Sequence, residues 1–195
     1  MSKRVLIIDG HPDRRPERYV HALAQAYTAG ARSAGHEVSS IVVSELEFPW
    51  LTNAEDFQRG TPPESIRNCQ ELIRRADHIV ILYPLWLGSM PALLKAFFEQ
   101  TLRPEFAFGA GARGRLPKKL LAGRSARIVV TMGMPAFFYK WYYRAHSLKS
   151  LERNILAFCG IRPVRATLAG MVEGMSAAKR KALLETLRDL GGSTR

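Results

Sequence analysis

Three short segments of this chain hold the residue types that could do chemistry. The first is Asp9-Gly10-His11-Pro12-Asp13-Arg14-Arg15-Pro16-Glu17-Arg18, which leads into a helical pattern. A loop entering a helix start offers free backbone N–H groups and the positive end of the dipole, which suits a phosphate. Arg14, Arg15 and Arg18 would add guanidinium contacts to phosphate oxygens, and they read equally as a solvated basic turn. There is no GxGxxG fingerprint and no Walker pattern, so no ordinary dinucleotide or P-loop site is signalled. The second segment is Tyr83-Pro84-Leu85-Trp86-Leu87-Gly88-Ser89-Met90-Pro91, which is uncharged, carries a Trp and is fenced by prolines. It suits a flat, mostly apolar ring, or else it packs as core. The third, from Thr131 to His146, has six aromatics in the seven positions 137 to 143. Such a density lines a pocket or forms a dimer interface. Tyr139 and His146 are its groups able to donate a proton or steady a developing negative charge, and each also reads as packing.

Strand and helix signals alternate from end to end and decide where these loops meet. Val5-Leu6-Ile7-Ile8 is a short continuous apolar run, as expected for a strand buried on both faces. Pro16 opens a helical pattern running to about Ala34, with Val20, Leu23, Ala24 and Tyr27 on one stripe, and Gly35 ends it. Val38 to Val43 reads as the second strand, followed by a loop rich in aromatics and prolines (Phe48-Pro49-Trp50, Pro62-Pro63). Ile66 to Arg75 is a helix, Ile79 to Tyr83 the third strand and Ala92 to Thr101 a helix. The irregular basic segment from Arg103 to Arg124 exceeds the usual connection length and reads as a functional or interface loop. Arg127 to Thr131 gives a fourth strand, Leu148 to Phe158 a helix closed by Gly160, and Val164 to Ala169 a fifth strand. Ser176 caps a last amphipathic helix running to Leu190.

Five strands interleaved with five helices predict one doubly wound parallel α/β domain over residues 1–195, with helices on both faces. The right-handed crossover rule favours the flavodoxin-like strand order 2-1-3-4-5. In that order a ligand sits outside the carboxyl ends of strands 1, 3 and 4, where the three loops emerge.

Composition narrows the classes. A charge of +12, from 29 Lys+Arg against 17 Asp+Glu, attracts anions, but it is spread along the chain without a nucleic-acid reading motif. Cys69 and Cys159 form no CxxC, and the five histidines show no metal-ligand spacing, so neither a disulfide framework nor a metal site is expected. The longest uncharged stretch, Ile79 to Leu94, is broken by Pro84, Gly88 and Pro91 and makes a poor membrane span. Only Val5 to Ile8 is apolar near the start, too short for a signal peptide, and a soluble cytoplasmic protein is expected.

In order and spacing, the stretch from Tyr83 to Glu99, the downstream Glu105-Phe106-Ala107-Phe108 and the run Asn154 to Ile161 resemble the flavodoxin-like NAD(P)H:quinone oxidoreductase family. That family includes bacterial modulators of drug activity and ancillary quinone reductases. The resemblance implies a tightly bound flavin, FMN or FAD, and a homodimer with its active sites at the interface. His11 and the turn after it would hold the flavin phosphate. Backbone of Pro84, Leu85, Trp86, Leu87 and Gly88 would edge the isoalloxazine ring, with Thr131 and Gly133 touching it from the other side. Tyr139 falls where the family has a Tyr near the pyrimidine edge, and His146 falls beside its partner His. Where the family carries a Ser and an Asn on the phosphate, this chain has Pro16 and Arg18. Proline offers neither hydroxyl nor N–H, and Arg18 would replace the lost contacts with charge.

The implied activity is a two-step hydride relay from NAD(P)H through the flavin to a quinone or similar acceptor. Two rival readings are a flavodoxin-type electron carrier, against which the positive charge argues, and a binding subunit. The latter would dock on a membrane, an ion-transport system or another acidic partner through the basic segment from Arg103 to Arg127.

Overall fold

The structure, a computed structural model, describes residues 2–109 and 117–194. Five parallel strands form its sheet: β1 (Arg4–Asp9), β2 (Glu37–Val42), β3 (His78–Pro84), β6 (Ser125–Thr131) and β7 (Val164–Ala169), in the order β2-β1-β3-β6-β7. Counted without a two-residue antiparallel pair, β4 (Phe108–Gly109) with β5 (Lys118–Lys119), this is the expected order 2-1-3-4-5. The expected basic loop folds into that pair, and its residues 110–116, Arg113 and Arg115 among them, lie outside the described residues.

Strand alternation divides the apolar residues between two layers. Leu6, Ile8, Ile79, Ile81, Tyr83, Ile128 and Val130 face α3 (Glu64–Arg75), α4 (Ala92–Thr101) and the helical stretch 146–159. That stretch comprises α6 (His146–Lys149), a π-helical turn over Ser150–Leu156 and α7 (Ala157–Cys159). Val5, Ile7, Val80, Leu82 and Val129 face α1 (Tyr19–Ser33) and α8 (Ala177–Ser193). Helices α1 and α8 touch through glycine: a Cβ on Gly30 would stand 1.8 Å from the Arg188 carbonyl oxygen, and one on Gly191 would stand 2.2 Å from that of Tyr27. Gly191 and Gly192 therefore continue α8 past Leu190, where the sequence suggested an end.

One other boundary differs, and two helices are added. Helix α1 starts at Tyr19 rather than Pro16, because the Asp13 carboxylate holds the Arg15 amide and the Arg15 and Arg18 guanidiniums in a turn. Two six-residue helices occupy segments read as loops: α2 (Ala54–Arg59), capped by the Asn53 side chain on the Asp56 amide, and α5 (Ala136–Trp141). The register sets Asp9 beside Leu82 and Pro84 beside Thr131, so β1, β3 and β6 end together. The Gly10 amide donates to the Leu82 carbonyl at 2.8 Å and the Leu85 amide to the Thr131 carbonyl at 2.7 Å, which staples the loops at that edge.

Candidate active site

A cavity of about 510 Å³ opens where β1, β3 and β6 end. One side is the loop after β1. Gly10 lets this loop lie flat, since a Cβ there would meet the Leu94 side chain at 2.7 Å and the Leu82 carbonyl at 3.1 Å. The buried Asp9 carboxylate accepts the His11 amide at 3.1 Å and faces His21 Nδ1 at 2.5 Å. The Asp13 amide donates to His11 Nδ1 at 3.0 Å, and the Asp13 carbonyl faces His21 Nε2 at 2.9 Å. Burial, then the neighbouring His21, push the His11 pKa down. Burial also opposes charge on His21, but the Asp9 bond, the Asp13 carbonyl and both carboxylates outweigh it and raise that pKa. The Arg15 amide and guanidinium hold the Asp13 carboxyl below the usual range.

The second side is uncharged: Pro84, Leu85 and Trp86, with the His11 and Trp86 rings edge to face at 6.0 Å. Trp86 and Ser89 exchange both backbone bonds at 2.9 Å across Leu87 (φ 47°) and Gly88 (φ 77°). Positive φ at both central residues makes this a type I′ turn, unusual for a leucine. Leu87 stands fully exposed at its tip.

Thr131, Met132 and Gly133 form the third side. Gly133 leaves open space, since a Cβ there would come no nearer than 3.8 Å to Glu173. Behind them Arg180 reaches back from α8, its guanidinium 5.0 Å from the Tyr19 ring centroid and bonded to the Val172 and Met175 carbonyls, while the Tyr19 hydroxyl donates to the Arg180 carbonyl. The cavity thus joins an end rich in charged groups, Arg15 and Arg18 with Asp13 and Glu17, to an uncharged wall.

Over residues 3–190 the chain matches the family described by the flavodoxin-like fold. It belongs to that family. A Haemophilus influenzae protein named as an uncharacterized NAD(P)H oxidoreductase is 28% identical over 184 residues, 92% of this chain and 90% of its own. Human ribosyldihydronicotinamide dehydrogenase (quinone) is 29% identical over 134 residues, which cover 67% of this chain but only 57% of that protein. Among solved structures, an NAD(P)H:quinone oxidoreductase from Methanothermobacter marburgensis superimposes with a TM-score of 0.81 at 23% identity, covering 100% of this chain and 98% of that one.

In this flavodoxin-like chain the cavity gathers His11, Arg18, Pro84, Leu85, Trp86, Thr131 and Gly133 of the residues singled out from sequence. Leu87 and Gly88 sit on the adjoining turn rather than on its wall. Tyr139 is buried, its hydroxyl 2.7 Å from Ser147 Oγ and accepting the Leu148 amide at 3.1 Å. His146 is exposed at the start of α6, and neither residue lines the cavity. Sequence reasoning missed Asp9, Asp13, His21, Tyr19, Glu173 and Arg180. The first three stand in or beside the segment already suspected, whereas Arg180 lies 161 residues from Tyr19 and carries no local signal. Among the described residues no cluster of His, Cys, Asp or Glu could hold a metal ion, and no helix is long and apolar enough to cross a membrane.

Proposed function

We propose that this chain is a flavin-dependent NAD(P)H oxidoreductase acting on a quinone or a related acceptor. The observation that carries the reading is the cavity at the ends of β1, β3 and β6, lined at one end by Arg15 and Arg18 together with Asp13 and Glu17, and uncharged along one wall. Its volume of about 510 Å³ is of the size that encloses small ligands and cofactors. The residues fit a flavin. His11, Arg15, Arg18 and the side-chain-uncapped start of α1 suit its phosphate, whether of FMN or FAD. Pro84, Leu85 and Trp86 suit one side of the ring system, with Leu87 and Gly88 at its rim, and Thr131 to Gly133 suit the other. When bound, a flavin supplies two-electron transfer between NAD(P)H and an acceptor.

The chain's own part is to bind, orient and answer charge. Tyr139 and His146 enter as the groups that meet negative charge developing on the ring. Tyr139 can do so only by exchanging its bonds to Ser147 and Leu148. Tyr139→Phe and His146→Gln are each expected to lower turnover at least tenfold with flavin binding kept. Unchanged turnover removes the residue from the reaction. The exposed Phe137, Trp141 and Tyr142, with Leu87 and Trp86 also exposed, support a homodimer.

The test is the visible spectrum of the purified protein, with the chromophore released by heat and FMN separated from FAD by chromatography. Flavin absorption bleached by NADH or NADPH and restored by a quinone is expected. Parallel double-reciprocal lines are expected too, because both substrates use one site in turn. A colourless protein that binds neither FMN nor FAD sinks the reading.

A further inference from the structure

At the start of α1, beside the loop after β1, one histidine has an oxygen facing each of its ring nitrogens. His21 Nδ1 faces Asp9 Oδ2 at 2.5 Å and Nε2 faces the Asp13 carbonyl at 2.9 Å. A carbonyl has no proton to give, and Asp9 is an acceptor on its other oxygen as well, taking the His11 amide. With Asp9 as a carboxylate, both ring nitrogens of His21 donate, which requires both protons. The same loop fixes a second ring. The Asp13 amide donates to His11 Nδ1 at 3.0 Å, so that nitrogen is bare and a neutral His11 carries its proton on Nε2. Among the described residues Nε2 of His11 has no hydrogen-bond partner, and His11 lines the cavity.

We propose that His21 is a positioning residue: as an imidazolium clamped between Asp9 and the Asp13 carbonyl, it holds the loop so that His11 offers Nε2–H to the phosphate of a ligand in the cavity. The proposal deepens the flavin reading and rests on it for the ligand. His21 contacts no substrate; it acts through Asp13, whose amide and carbonyl link the two rings. Its surroundings favour the charge. Asp9 from β1 and Asp13 and His11 from the loop face it. Arg14, Arg32 and Glu45 line with it a second cavity of about 480 Å³ between α1 and β2, where Arg14 is tied to the Ser44 carbonyl at 2.6 Å. The raised pKa sets the sign: the clamp is complete below the ordinary imidazole range and is lost as pH rises through the higher folded value.

Long-range 15N–1H spectra of the full chain test the clamp directly. The expected result at about pH 6.5 is His21 doubly protonated and His11 bare at Nδ1. A neutral His21, or His11 protonated at Nδ1, overturns the proposal. Titration with FMN and with riboflavin, which lacks the phosphate, tests the consequence. Above about pH 7 a phosphate monoester is doubly ionised, so further change belongs to the protein. The FMN-to-riboflavin affinity ratio is expected to fall about tenfold by about pH 9, the worth of one charge-assisted bond, and to be low and flat in His21→Gln. A ratio that is flat in the wild type, or that falls equally in His21→Gln, overturns it. Binding of neither compound by the wild type would sink the flavin reading instead, and the spectra alone would then decide the clamp.

Discussion

Asp13 is the residue on which the charged end of the cavity turns. Its carboxylate takes both guanidiniums, Arg15 at 2.7 Å and Arg18 Nε at 2.6 Å, so it stands where a phosphate would compete for the same cations. Its backbone makes the contacts to His11 and His21, and these survive loss of the side-chain charge. Asp13→Asn is therefore expected to tighten FMN binding a few-fold at low salt, in keeping with the weak contribution of solvent-screened ion pairs. Added salt should erase most of the gain. Weaker binding in titrations at both ionic strengths would mean that the carboxylate organises the loop rather than competing with the ligand. Leu87 poses the opposite case, an apolar side chain held in the left-handed region without packing to compensate. Leu87→Asn creates the Asn-Gly pair that a type I′ turn prefers, and should raise stability by about 1 kcal/mol in urea melts. If Leu87 covers the ligand or a second copy, that gain will come with weaker binding.

At the scale of elements, the three central strands were legible because each carries a continuous apolar run, as burial on both faces requires, whereas the edge strands β2 and β7 mix polar and apolar residues. The short helices were not. Six residues hold fewer than two turns, too few for a 3.6-residue period to emerge, and in α5 the aromatics hide the single buried position, Tyr139. The glycines of α8 misled for a different reason: a glycine near a helix end reads as a stop signal, whereas Gly191 is there so that α1 can approach. The same contact makes Gly30 indispensable. Gly30→Ala places a methyl 1.8 Å from the Arg188 carbonyl, and backbone cannot swing aside as a side-chain tip can. It should cost about 1–3 kcal/mol in urea unfolding, the range for overpacking. An unchanged midpoint would mean that the two helices slide apart freely.

For the molecule as a whole, motif and strand order located the cavity, but its back wall comes from α8, and no sequence spacing brings Arg180 to Tyr19. The opposite end of the sheet carries a different liability. His78, at the start of β3, is buried between the Tyr27 hydroxyl at 3.0 Å and Ser125 Oγ at 2.7 Å. Burial, and then the charges of Lys3, Arg127 and Arg165, bring its pKa down to about 4. The unfolded chain binds the proton near the ordinary value of about 6.5, the folded one only near 4. Acid therefore favours unfolding: the contribution of His78 is full above about pH 6.5 and drains away as pH falls toward 4, about 3 kcal/mol in all. Asp77 next to it is held at about 2 by Arg4, and its unfolded form takes up a proton only near the ordinary 3.8, below the measured range, so it adds little to the result. His11 shifts in the same direction and His21 in the other, which is why the variant matters. Urea midpoints of the wild type should fall steadily from about pH 6.5 to about pH 4.5, and those of His78→Gln should fall much less. Equal slopes in the two proteins would show that His78 takes up its proton without unfolding the sheet, and that the acid sensitivity of this basic chain lies elsewhere.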